Sequence, residues 1–483
     1  MSAHELFILN NEIITDEMLS SDEITYSSLL LDFVRYNKRL PGTKIGCREG
    51  DCGACTVLVG DLVNDQLDYQ QIVSCLTPIG NIIGKHVVTI EGINREQLTP
   101  IQREIINEGG TQCGACTPGF VVSLTGYALN NDVVGPEQII GSMDGNICRC
   151  TGYKSLEKAA ISILPMLDSI NKTDTLRIQG LVENEFIPDY FLEIKDRLIN
   201  LNRNLSRKTE LHKSSNILIG GGTDLYVQRA EWLTRQSADF LELKESSSFI
   251  NHENGKVVIG AGITSTQLME SKVLTDIFPN IYKHFKLFGS TLIRNIATLG
   301  GNIVNGSPIA DMVIFFLALN PTINLQAQQE KRSLNLRDFF LDYKTLDLKE
   351  DEIVSSIDFS LPPDNGCFNF EKVSKRTYLD IASVNSAFYV DFDATNTITT
   401  AGLTAGGVAP VPKYLTIGSE YLIGKQINNQ TLLNLLDIVD QEISPISDVR
   451  GSAEYKRLLL RQLIIAHFIT LFENSVHIEE LIA

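Results

Sequence analysis

Residues 46–55 read Gly46-Cys-Arg-Glu-Gly-Asp-Cys-Gly-Ala-Cys55, and this stretch decides the fold of the amino-terminal part of the chain. Its cysteines have the spacing Cys-x4-Cys-x2-Cys, and Cys75 follows after nineteen intervening residues. This is the spacing with which plant-type ferredoxins hold a [2Fe–2S] cluster. Gly46, Gly50 and Gly53 allow the backbone to bend tightly, so that amide N–H groups can approach the sulfurs and stabilise a cluster's negative charge. The stretch therefore predicts a loop wrapped over an iron–sulfur cluster.

A second set of cysteines lies further along, as Cys113-x2-Cys116 followed by Cys148-x-Cys150. A Cys-x2-Cys pair alone also occurs in thioredoxin-like redox sites and in halves of zinc sites. The Cys-x-Cys pair favours iron, because its thiolates are too close in sequence for a regular zinc knuckle but can bind one iron from a tight loop. For both sets, zinc binding or inert thiols remain the alternative, although zinc sites usually come as paired Cys-x2-Cys or Cys/His knuckles.

Cysteine usage and charge narrow the class of protein. Eight of the nine cysteines lie between Cys47 and Cys150, and only Cys367 lies outside. We predict a cytoplasmic protein, because the amino terminus lacks a signal-peptide pattern and the longest apolar run, 312–319, is far below the ~20 residues that span a bilayer. Thiols stay reduced there, so clustered cysteines indicate metal ligands before disulfides. The formal net charge of −18 argues against nucleic-acid and membrane partners.

The length of 483 residues exceeds the size of one hydrophobic core, so we predict a multidomain α+β chain. Residues 1–90 are expected to form a β-grasp, ferredoxin-like domain. Within it, an apolar strand at 5–9, a turn at Asn10-Asn11 and a hairpin partner at 12–14 precede a helix and the cysteine loop.

Residues 91–170 are expected to form a helical bundle, in which Pro118 and Pro136 occupy first-turn positions of helices. Its predicted helices cover 100–108, 118–129, 135–143 and 154–167. The remaining segments are predicted to be a polar linker, an α+β domain and a small carboxy-terminal α/β domain, at 171–208, 209–375 and 376–483 respectively.

Two glycine-rich segments lie in the α+β region. Ile217-Leu-Ile-Gly-Gly-Gly-Thr-Asp-Leu225 reads as a strand entering a turn that could present backbone N–H groups and the Thr223 hydroxyl to a phosphate. It differs from the Gly-x-Gly-x-x-Gly of Rossmann sites, and an ordinary tight turn is the alternative. The segment 298–311 (Thr-Leu-Gly-Gly-Asn-Ile-Val-Asn-Gly-Ser-Pro-Ile-Ala-Asp) is similarly rich in small residues. Together, the two loops could grip one extended pyrophosphate cofactor.

Three cysteine segments resemble the iron–sulfur signatures of the molybdenum hydroxylase family. They are residues 46–55, Gln112-Cys-Gly-Ala-Cys-Thr-Pro-Gly119 and Asn146-Ile-Cys-Arg-Cys-Thr-Gly-Tyr153. All eight ligand positions of the family are matched, which implies two [2Fe–2S] clusters. The implied ligands are Cys47, Cys52, Cys55 and Cys75 for the first cluster, and Cys113, Cys116, Cys148 and Cys150 for the second.

The glycine-rich segments resemble the FAD-binding domain in the xanthine dehydrogenase branch of that family. This resemblance assigns residues 209–375 to FAD binding and 376–483 to the last domain of the flavoprotein region. Phe288 would pack on the flavin ring side, and Val354 is matched only with a gap nearby; a core aromatic and a surface lysine are the alternatives for Phe288 and Lys372. The implied FAD contacts are Leu218, Ile219, Gly220, Gly221, Gly222, Thr223, Asp224, Leu225, Phe288, Thr298, Gly300, Gly301, Asn302, Asp311, Val354 and Lys372.

The resemblance implies the small iron–sulfur and FAD subunit of a two-subunit bacterial xanthine dehydrogenase. The family's molybdopterin region would need several hundred further residues, so we expect hydroxylation on a molybdopterin-binding large subunit, in a heterotetramer of two small and two large chains. Electrons from hypoxanthine or xanthine oxidation to urate would pass through the clusters to FAD and on to NAD⁺, with no catalytic side chain in this chain. The alternatives are an aldehyde or N-heterocycle hydroxylase subunit, a stand-alone flavin iron–sulfur reductase, and a zinc-stabilised scaffold.

Overall fold

Two units make up the chain, and each is described by itself. The computed structural model describes residues 4–21, 24–130, 135–170, 174–206, 217–241, 247–327 and 330–477. The first unit contains Met1–Leu243 and Ser290–Ile296, and the second contains Lys244–Gly289 and Ala297–Ala483.

The first unit is built on a mixed five-stranded sheet in the order β2-β1-β5-β3-β4. Its strands are β1 (Glu5–Leu9), β2 (Glu12–Thr15), β3 (Thr56–Val63), β4 (Gln66–Val73) and β5 (His86–Val88). Strands β1 and β5 are parallel, and the other neighbours are antiparallel. The predicted hairpin turns at Asn10, whose φ of 54° is the left-handed conformation that asparagine tolerates. This arrangement is the predicted β-grasp sheet.

In the described residues before 243, eleven α-helical segments follow or flank this sheet. Helix α5 is the longest helix of the region 91–170 that was predicted to be a helical bundle. Its residues are buried on all sides from Gly119 to Leu129, as expected for a helix without a polar face. Thr99 and Gln102 form a capping box at the start of α4, and Pro100 occupies its first position. The segments are α1 (Asp16–Ser21), α2 (Leu30–Asp32), α3 (Ile90–Ile93), α4 (Pro100–Asn107), α5 (Thr117–Asn130), α6 (Pro136–Gly141), α7 (Lys154–Ser162), α8 (Leu164–Asp168), α9 (Asp174–Glu183), α10 (Phe191–Ser206) and α11 (Leu225–Leu233).

Among its described residues, the first unit has five further short elements. They are a π-helical turn (Phe33–Asn37), a 3-10 turn (Ile79–Ile82), the strand pair β6 (Leu218–Ile219) and β7 (Asp239–Phe240), and α15 (Thr291–Arg294), which is numbered by its place in the chain. Strands β6 and β7 run parallel. The short helix α15 gives the first unit a segment from far along the sequence.

Residues 174–206, inside the segment predicted as a linker, form helices α9 and α10. Three residues of α10, Ile194, Leu198 and Leu201, are buried together with Ile8 of β1. Their spacing of four and three residues places them on one helical face, which packs against the sheet. The remainder of the predicted linker, 171–173 and 207–208, lies outside the described residues.

Among the described residues, the second unit contains two larger antiparallel sheets and the small antiparallel pair β12-β13. The first sheet has the order β11-β10-β14-β9-β8, and the second has the order β15-β16-β17-β18. Strand β15 precedes the predicted boundary at residue 376 but pairs with β16 along its whole length. The strands are β8 (Ile250–Glu253), β9 (Lys256–Gly260), β10 (Thr322–Ala327), β11 (Glu330–Asn335), β12 (Phe340–Asp342), β13 (Thr345–Leu346), β14 (Ile353–Ser360), β15 (Cys367–Val373), β16 (Val384–Phe392), β17 (Ile398–Gly406) and β18 (Lys413–Tyr414).

Helices of the second unit cover these sheets. The apolar side chains of β16 and β17 form one core with the last three helices, α19 to α21. The helices are α12 (Ser265–Glu270), α13 (Lys272–Ile277), α14 (Ile281–Phe285), α16 (Leu299–Val304), α17 (Asp311–Leu317), α18 (Leu336–Phe339), α19 (Thr416–Leu422), α20 (Asn429–Glu442) and α21 (Ala453–Leu471).

The predicted fold class, a multidomain α+β chain with a β-grasp module and a helical module, is confirmed. Within the part of the chain that the structure describes, every helix is too short or too polar to cross a bilayer.

Candidate cofactor sites

The sheet of the first unit brings Cys55 and Cys75 together. Cys55 directly precedes β3 and Cys75 lies two residues after β4, while Thr56 pairs with Val73 at this end of the hairpin. Both cysteines are buried, each with 2% of its surface exposed. A hydrogen bond between the two thiols lowers the pKa of Cys55. The register of the β3–β4 hairpin therefore brings Cys55, at the end of the glycine-rich loop, next to Cys75, which lies twenty residues later in the sequence.

Cys47 and Cys52 form a second pair within the glycine-rich loop. The Cys47 amide donates a hydrogen bond to the Cys52 sulfur at 3.4 Å, and the Glu49 amide donates one to the Cys47 sulfur at 3.4 Å. The hydrogen bond with the Cys52 thiol lowers the pKa of Cys47 to about 5, although burial opposes this shift. Gly50, with a φ of 79°, supplies the left-handed bend that this loop requires.

The helical-module cysteines also form two pairs. The sulfurs of Cys113 and Cys150 are 3.6 Å apart, and both residues are exposed. A hydrogen bond from the Ala115 amide, followed by one with the Cys150 thiol, lowers the pKa of Cys113. Cys116 and Cys148 are hydrogen-bonded to each other through their side chains. The first two cysteines precede α5 and the last two precede α7, so both pairs join loops at helix starts.

Cys148 has a hydroxyl neighbour that sequence reasoning missed. The Thr151 hydroxyl donates to the Cys148 sulfur at 3.1 Å, and the Thr151 amide donates to it at 3.4 Å. Burial raises the pKa of the Cys148 thiol, but these hydrogen bonds outweigh it, so that the pKa is lowered overall. The Thr-Gly that follows Cys-x-Cys is the sequence signal that could have indicated this donor.

This pairwise arrangement fits a two-iron cluster. In each pair one thiol has a lowered pKa and its partner a raised pKa, so the first is the one that more readily loses its proton, as a metal ligand must. Among the described residues, no group of three or more His, Cys, Asp and Glu side chains is arranged to hold one metal ion. A [2Fe–2S] cluster takes two thiolates on each iron, and the four cysteine pairs supply this number. The nine cysteines form no disulfide.

The first glycine-rich segment belongs to the first unit. It runs from β6 through a turn into α11, as predicted, and Gly222 takes a φ of 78°. The Asn81 side chain donates to the Gly220 carbonyl at 2.8 Å, and the Tyr226 hydroxyl donates to the Ser27 carbonyl at 2.7 Å. The turn is thus held on both sides by the β-grasp module. The predicted FAD residues in this unit are Leu218, Ile219, Gly220, Gly221, Gly222, Thr223, Asp224 and Leu225.

The second glycine-rich segment belongs to the second unit. The Thr298 hydroxyl accepts a hydrogen bond from the Gly301 amide at 3.1 Å and caps α16. Gly300 approaches the preceding strand so closely that a side chain there would lie 2.8 Å from the Ala261 Cβ. The Asn302 side chain accepts from the Val313 amide at 3.3 Å and ties α16 to α17. Close backbone packing therefore explains the small residues in this segment.

Two of the predicted FAD residues form one ion pair. Lys372 Nζ lies 2.7 Å from Asp311 Oδ2 and also donates to the Leu287 carbonyl at 2.7 Å. The Lys372 side chain is only 1% exposed, so it is not the solvated surface lysine that was the alternative. Asn385, which sequence reasoning did not identify, donates to Asp311 Oδ1 at 2.6 Å. The three side chains form one buried polar cluster.

The two apolar FAD candidates lie in the packed interior. Phe288 is 5% exposed and contacts Phe285 and Phe370, with ring centroids 4.6 and 5.0 Å away. It follows Leu287, whose carbonyl binds Lys372, so Phe288 is next to the polar cluster in sequence. Val354 is buried in β14 opposite Leu325. The contacts described for these two residues are those of core residues.

Comparison with known proteins covers most of the chain. A "2Fe-2S iron-sulfur cluster binding domain" model matches residues 20–80, and a "[2Fe-2S] binding domain" model matches 89–161. A model described as "FAD binding domain in molybdopterin dehydrogenase" matches 200–362, and a "CO dehydrogenase flavoprotein C-terminal domain" model matches 370–471.

Individual relatives match most of this chain. The chain is 29% identical to xanthine dehydrogenase of Emericella nidulans, over 91% of this chain and 37% of the relative. It is 26% identical to aldehyde oxidase 1 of Bos taurus, over 94% of this chain and 38% of the relative. The chain thus spans less than two fifths of the length of these relatives. A solved carbon monoxide dehydrogenase from Hydrogenophaga pseudoflava matches with 23% identity and a TM-score of 0.49, over 52% of this chain and 88% of that chain.

The two cysteine modules and the flavin-type domains lie in the same order as these matches. The chain carries two [2Fe–2S]-binding domains, an FAD-binding domain of the molybdopterin dehydrogenase type and a flavoprotein carboxy-terminal domain, which is the domain set expected for the small subunit of a molybdenum hydroxylase.

Proposed function

We propose that this chain is the iron–sulfur and FAD subunit of a xanthine dehydrogenase. It would receive electrons from a molybdopterin-binding large subunit that oxidises hypoxanthine and xanthine to urate, and it would deliver them to NAD⁺. The observation that carries the proposal is the presence of four close cysteine pairs in the first unit. When bound, two [2Fe–2S] clusters supply one-electron transfer and FAD links it to the two-electron reduction of NAD⁺.

The cysteine pairs would hold the two clusters as separate sites. Cys47 and Cys52 would ligate one iron and Cys55 and Cys75 the other, because the structure pairs them in this way. In the helical module, the corresponding pairs are Cys113 with Cys150 and Cys116 with Cys148. Backbone amides that donate to these sulfurs stabilise the anionic thiolates, which is what a metal ligand requires.

Burial differs between the two sets, and this supports a direction of electron flow. Cys113 and Cys150 are exposed, whereas Cys55 and Cys75 are buried. An electron donor on another protein chain can approach the exposed pair closely. We therefore expect the helical module to receive electrons from the partner and the β-grasp module to pass them toward the flavin.

The flavin candidates would bind the cofactor through backbone and polar groups. The Gly220–Gly222 turn of the first unit could offer amide N–H groups to phosphate oxygens. In the second unit, the Gly300 and Gly301 amides already donate to the Ala261 carbonyl and the Thr298 hydroxyl. Lys372 would present a fixed positive charge, because Asp311 and the Leu287 carbonyl hold its ammonium group in place.

A second candidate keeps the same relay and changes the substrate. The similarity to aldehyde oxidase 1 of Bos taurus over 94% of this chain favours an aldehyde or N-heterocycle hydroxylase as that candidate. Such a hydroxylase subunit would use the same cysteines and FAD residues. It would differ from a xanthine dehydrogenase subunit in the substrate that the partner subunit oxidises and in the final electron acceptor. A lone flavin iron–sulfur reductase would need no partner.

Three measurements on the chain co-expressed with its partner test the proposal. Anaerobically purified protein should contain iron, sulfide and FAD, and should reduce NAD⁺ with xanthine faster than with aldehydes. Preference for aldehydes, or for oxygen over NAD⁺, would support the second candidate, and full activity of the chain alone would support the reductase.

Cysteine variants test the ligand sets. Cys148→Ser should abolish the electron paramagnetic resonance signal of the helical-module cluster and leave that of the β-grasp module. Cys367→Ser is the matched control, because Cys367 lies in β15 of the second unit and belongs to neither set. Two intact signals in Cys148→Ser would contradict the assignment.

A further inference from the structure

The two cysteine loops of the first unit meet at two backbone carbonyls. The Ile147 amide donates to the Cys52 carbonyl at 3.0 Å, and the Asn146 side chain donates to the Gly53 carbonyl at 3.0 Å. Cys52 is a predicted ligand of the first cluster, and Ile147 directly precedes Cys148, a predicted ligand of the second. One hydrogen bond therefore separates the peptide groups next to two ligands of different clusters.

Asn146 uses both ends of its amide at this junction. Its Nδ2 also donates to Thr56 Oγ1 at 3.1 Å, and its Oδ1 accepts from the Ser123 hydroxyl at 2.7 Å. The Thr56 hydroxyl in turn donates to the Gly53 carbonyl at 2.6 Å. Asn146 is 4% exposed, so water does not readily replace these partners. The asparagine thus binds the first loop, the start of β3 and helix α5 at once.

Glycines bring the two loops together without intervening side chains. A Cβ on Gly53 would lie within 3.0 Å of the Gly145 carbonyl oxygen. A Cβ on Gly119, three residues after Cys116, would lie within 3.0 Å of the Gly53 carbonyl oxygen. The loops are therefore in backbone-to-backbone contact, and their separation is fixed by hydrogen bonds.

We propose that Asn146 is a positioning residue that sets the coupling between the two clusters, and that the Cys52–Ile147 hydrogen bond is the contact through which electrons cross. The inference rests on the proposed function, since it requires both cysteine sets to be loaded. Electron tunnelling is faster along covalent and hydrogen-bonded connections than across gaps. By holding the Gly53 carbonyl, Asn146 keeps the neighbouring Cys52 carbonyl within reach of the Ile147 amide.

The test replaces single hydrogen bonds of the junction in the full-length chain with its cofactors bound. Asn146→Asp keeps the size and the acceptor but removes the Nδ2 donor to Gly53 and Thr56. Thr56→Val removes the hydroxyl that binds the same carbonyl and serves as a second, milder variant. Asn130→Asp is the control, because the Asn130 side chain ties the other end of α5 to Asp68 and Tyr69.

Two readouts separate coupling from cluster assembly. Iron content and the two electron paramagnetic resonance signals report assembly, whereas the magnetic splitting between the reduced clusters and the rate of electron redistribution after photoreduction report coupling. In Asn146→Asp and Thr56→Val we expect both signals to persist, the splitting to decrease and the redistribution to slow severalfold. Asn130→Asp should resemble the unsubstituted chain.

Different results would contradict the coupling role of Asn146 and the proposed function of the chain. Both signals with unchanged splitting and rate in Asn146→Asp and Thr56→Val would overturn the inference alone. Loss of a cluster in Asn146→Asp with unchanged coupling in Thr56→Val would also overturn it, because Asn146 would then only build the site. Absence of both signals from the unsubstituted chain would overturn the proposed function.

Discussion

Removal of the Asp144 carboxylate is expected to destabilise the first unit by about 3–5 kcal/mol, the usual cost of removing one partner of a buried ion pair. Arg294 lies 2.7 Å from Asp144, and the two side chains are only 4% and 17% exposed. Asp144→Ala therefore leaves a guanidinium group buried. The Thr291 hydroxyl, which also accepts a hydrogen bond from Arg294 at 2.8 Å, carries no charge that could balance the guanidinium group.

The opposite substitution should cost less. In Arg294→Met the carboxylate keeps the hydrogen bond from the Thr291 amide at 2.8 Å and its own exposure to water. We expect a loss of about 1–3 kcal/mol, in the range for one unsatisfied buried polar group. The double variant Asp144→Leu with Arg294→Met should be more stable than Asp144→Ala, because no buried charge is left.

Denaturant unfolding followed by tryptophan fluorescence measures these differences. The chain has a single tryptophan, Trp232, and it lies in the first unit, so its transition reports that unit. Lys154→Met is the control, since the Lys154–Glu157 pair is largely exposed and should contribute less than about 1 kcal/mol. A loss below about 1 kcal/mol in Asp144→Ala, or a larger loss in Arg294→Met, would refute the reasoning.

Three further substitutions address the cofactor sites and the core. Thr151→Val should lower the reduction potential of the helical-module cluster, because it removes a hydroxyl donor to the Cys148 sulfur, and Thr151→Ser should restore it; equal potentials measured by redox titration would contradict this. Lys372→Met should reduce the FAD content of the purified chain, whereas the same change at exposed Lys272 should not, as absorbance at the flavin band would report. Burial lowers the pKa of His86 to about 3, so between pH ~6.5 and ~3 the unfolded chain binds a proton that the native chain does not. Stability should then fall with falling pH by up to about 1.4 kcal/mol per pH unit, and His86→Gln should have a shallower dependence in denaturant titrations.

Local sequence signals predicted the elements that depend on local chemistry. The hairpin at Asn10 has a turn residue that tolerates a positive φ, and the start of α4 has both a proline and a capping box. The predicted linker is different: its overall polar composition outweighed the amphipathic stretch at about 190–201, which forms most of α10. That the apolar face of this helix packs on the sheet becomes evident only when Ile8 is known to lie beneath it.

The pairing within the candidate sites depends on tertiary structure. Spacing alone groups the cysteines in fours, but the hairpin register decides that Cys55 pairs with Cys75. Likewise, Lys372 and Asp311 are 61 residues apart, and β15 brings them together with Asn385 of the next strand. A sequence pattern cannot supply such contacts, because they arise from strand order and burial.

The segment Ser290–Ile296 has a consequence for dividing this protein into parts. It belongs to the first unit, although the residues on both sides of it belong to the second, so the polypeptide passes from one unit to the other three times. A gene split after Leu243 would yield an amino-terminal product that lacks Arg294, with Asp144 left unpaired. Such a product would need the seven-residue segment supplied in trans or grafted onto its end. The first unit is therefore not one continuous stretch of sequence. A chimera that exchanges this unit with that of a relative must also exchange the segment Ser290–Ile296.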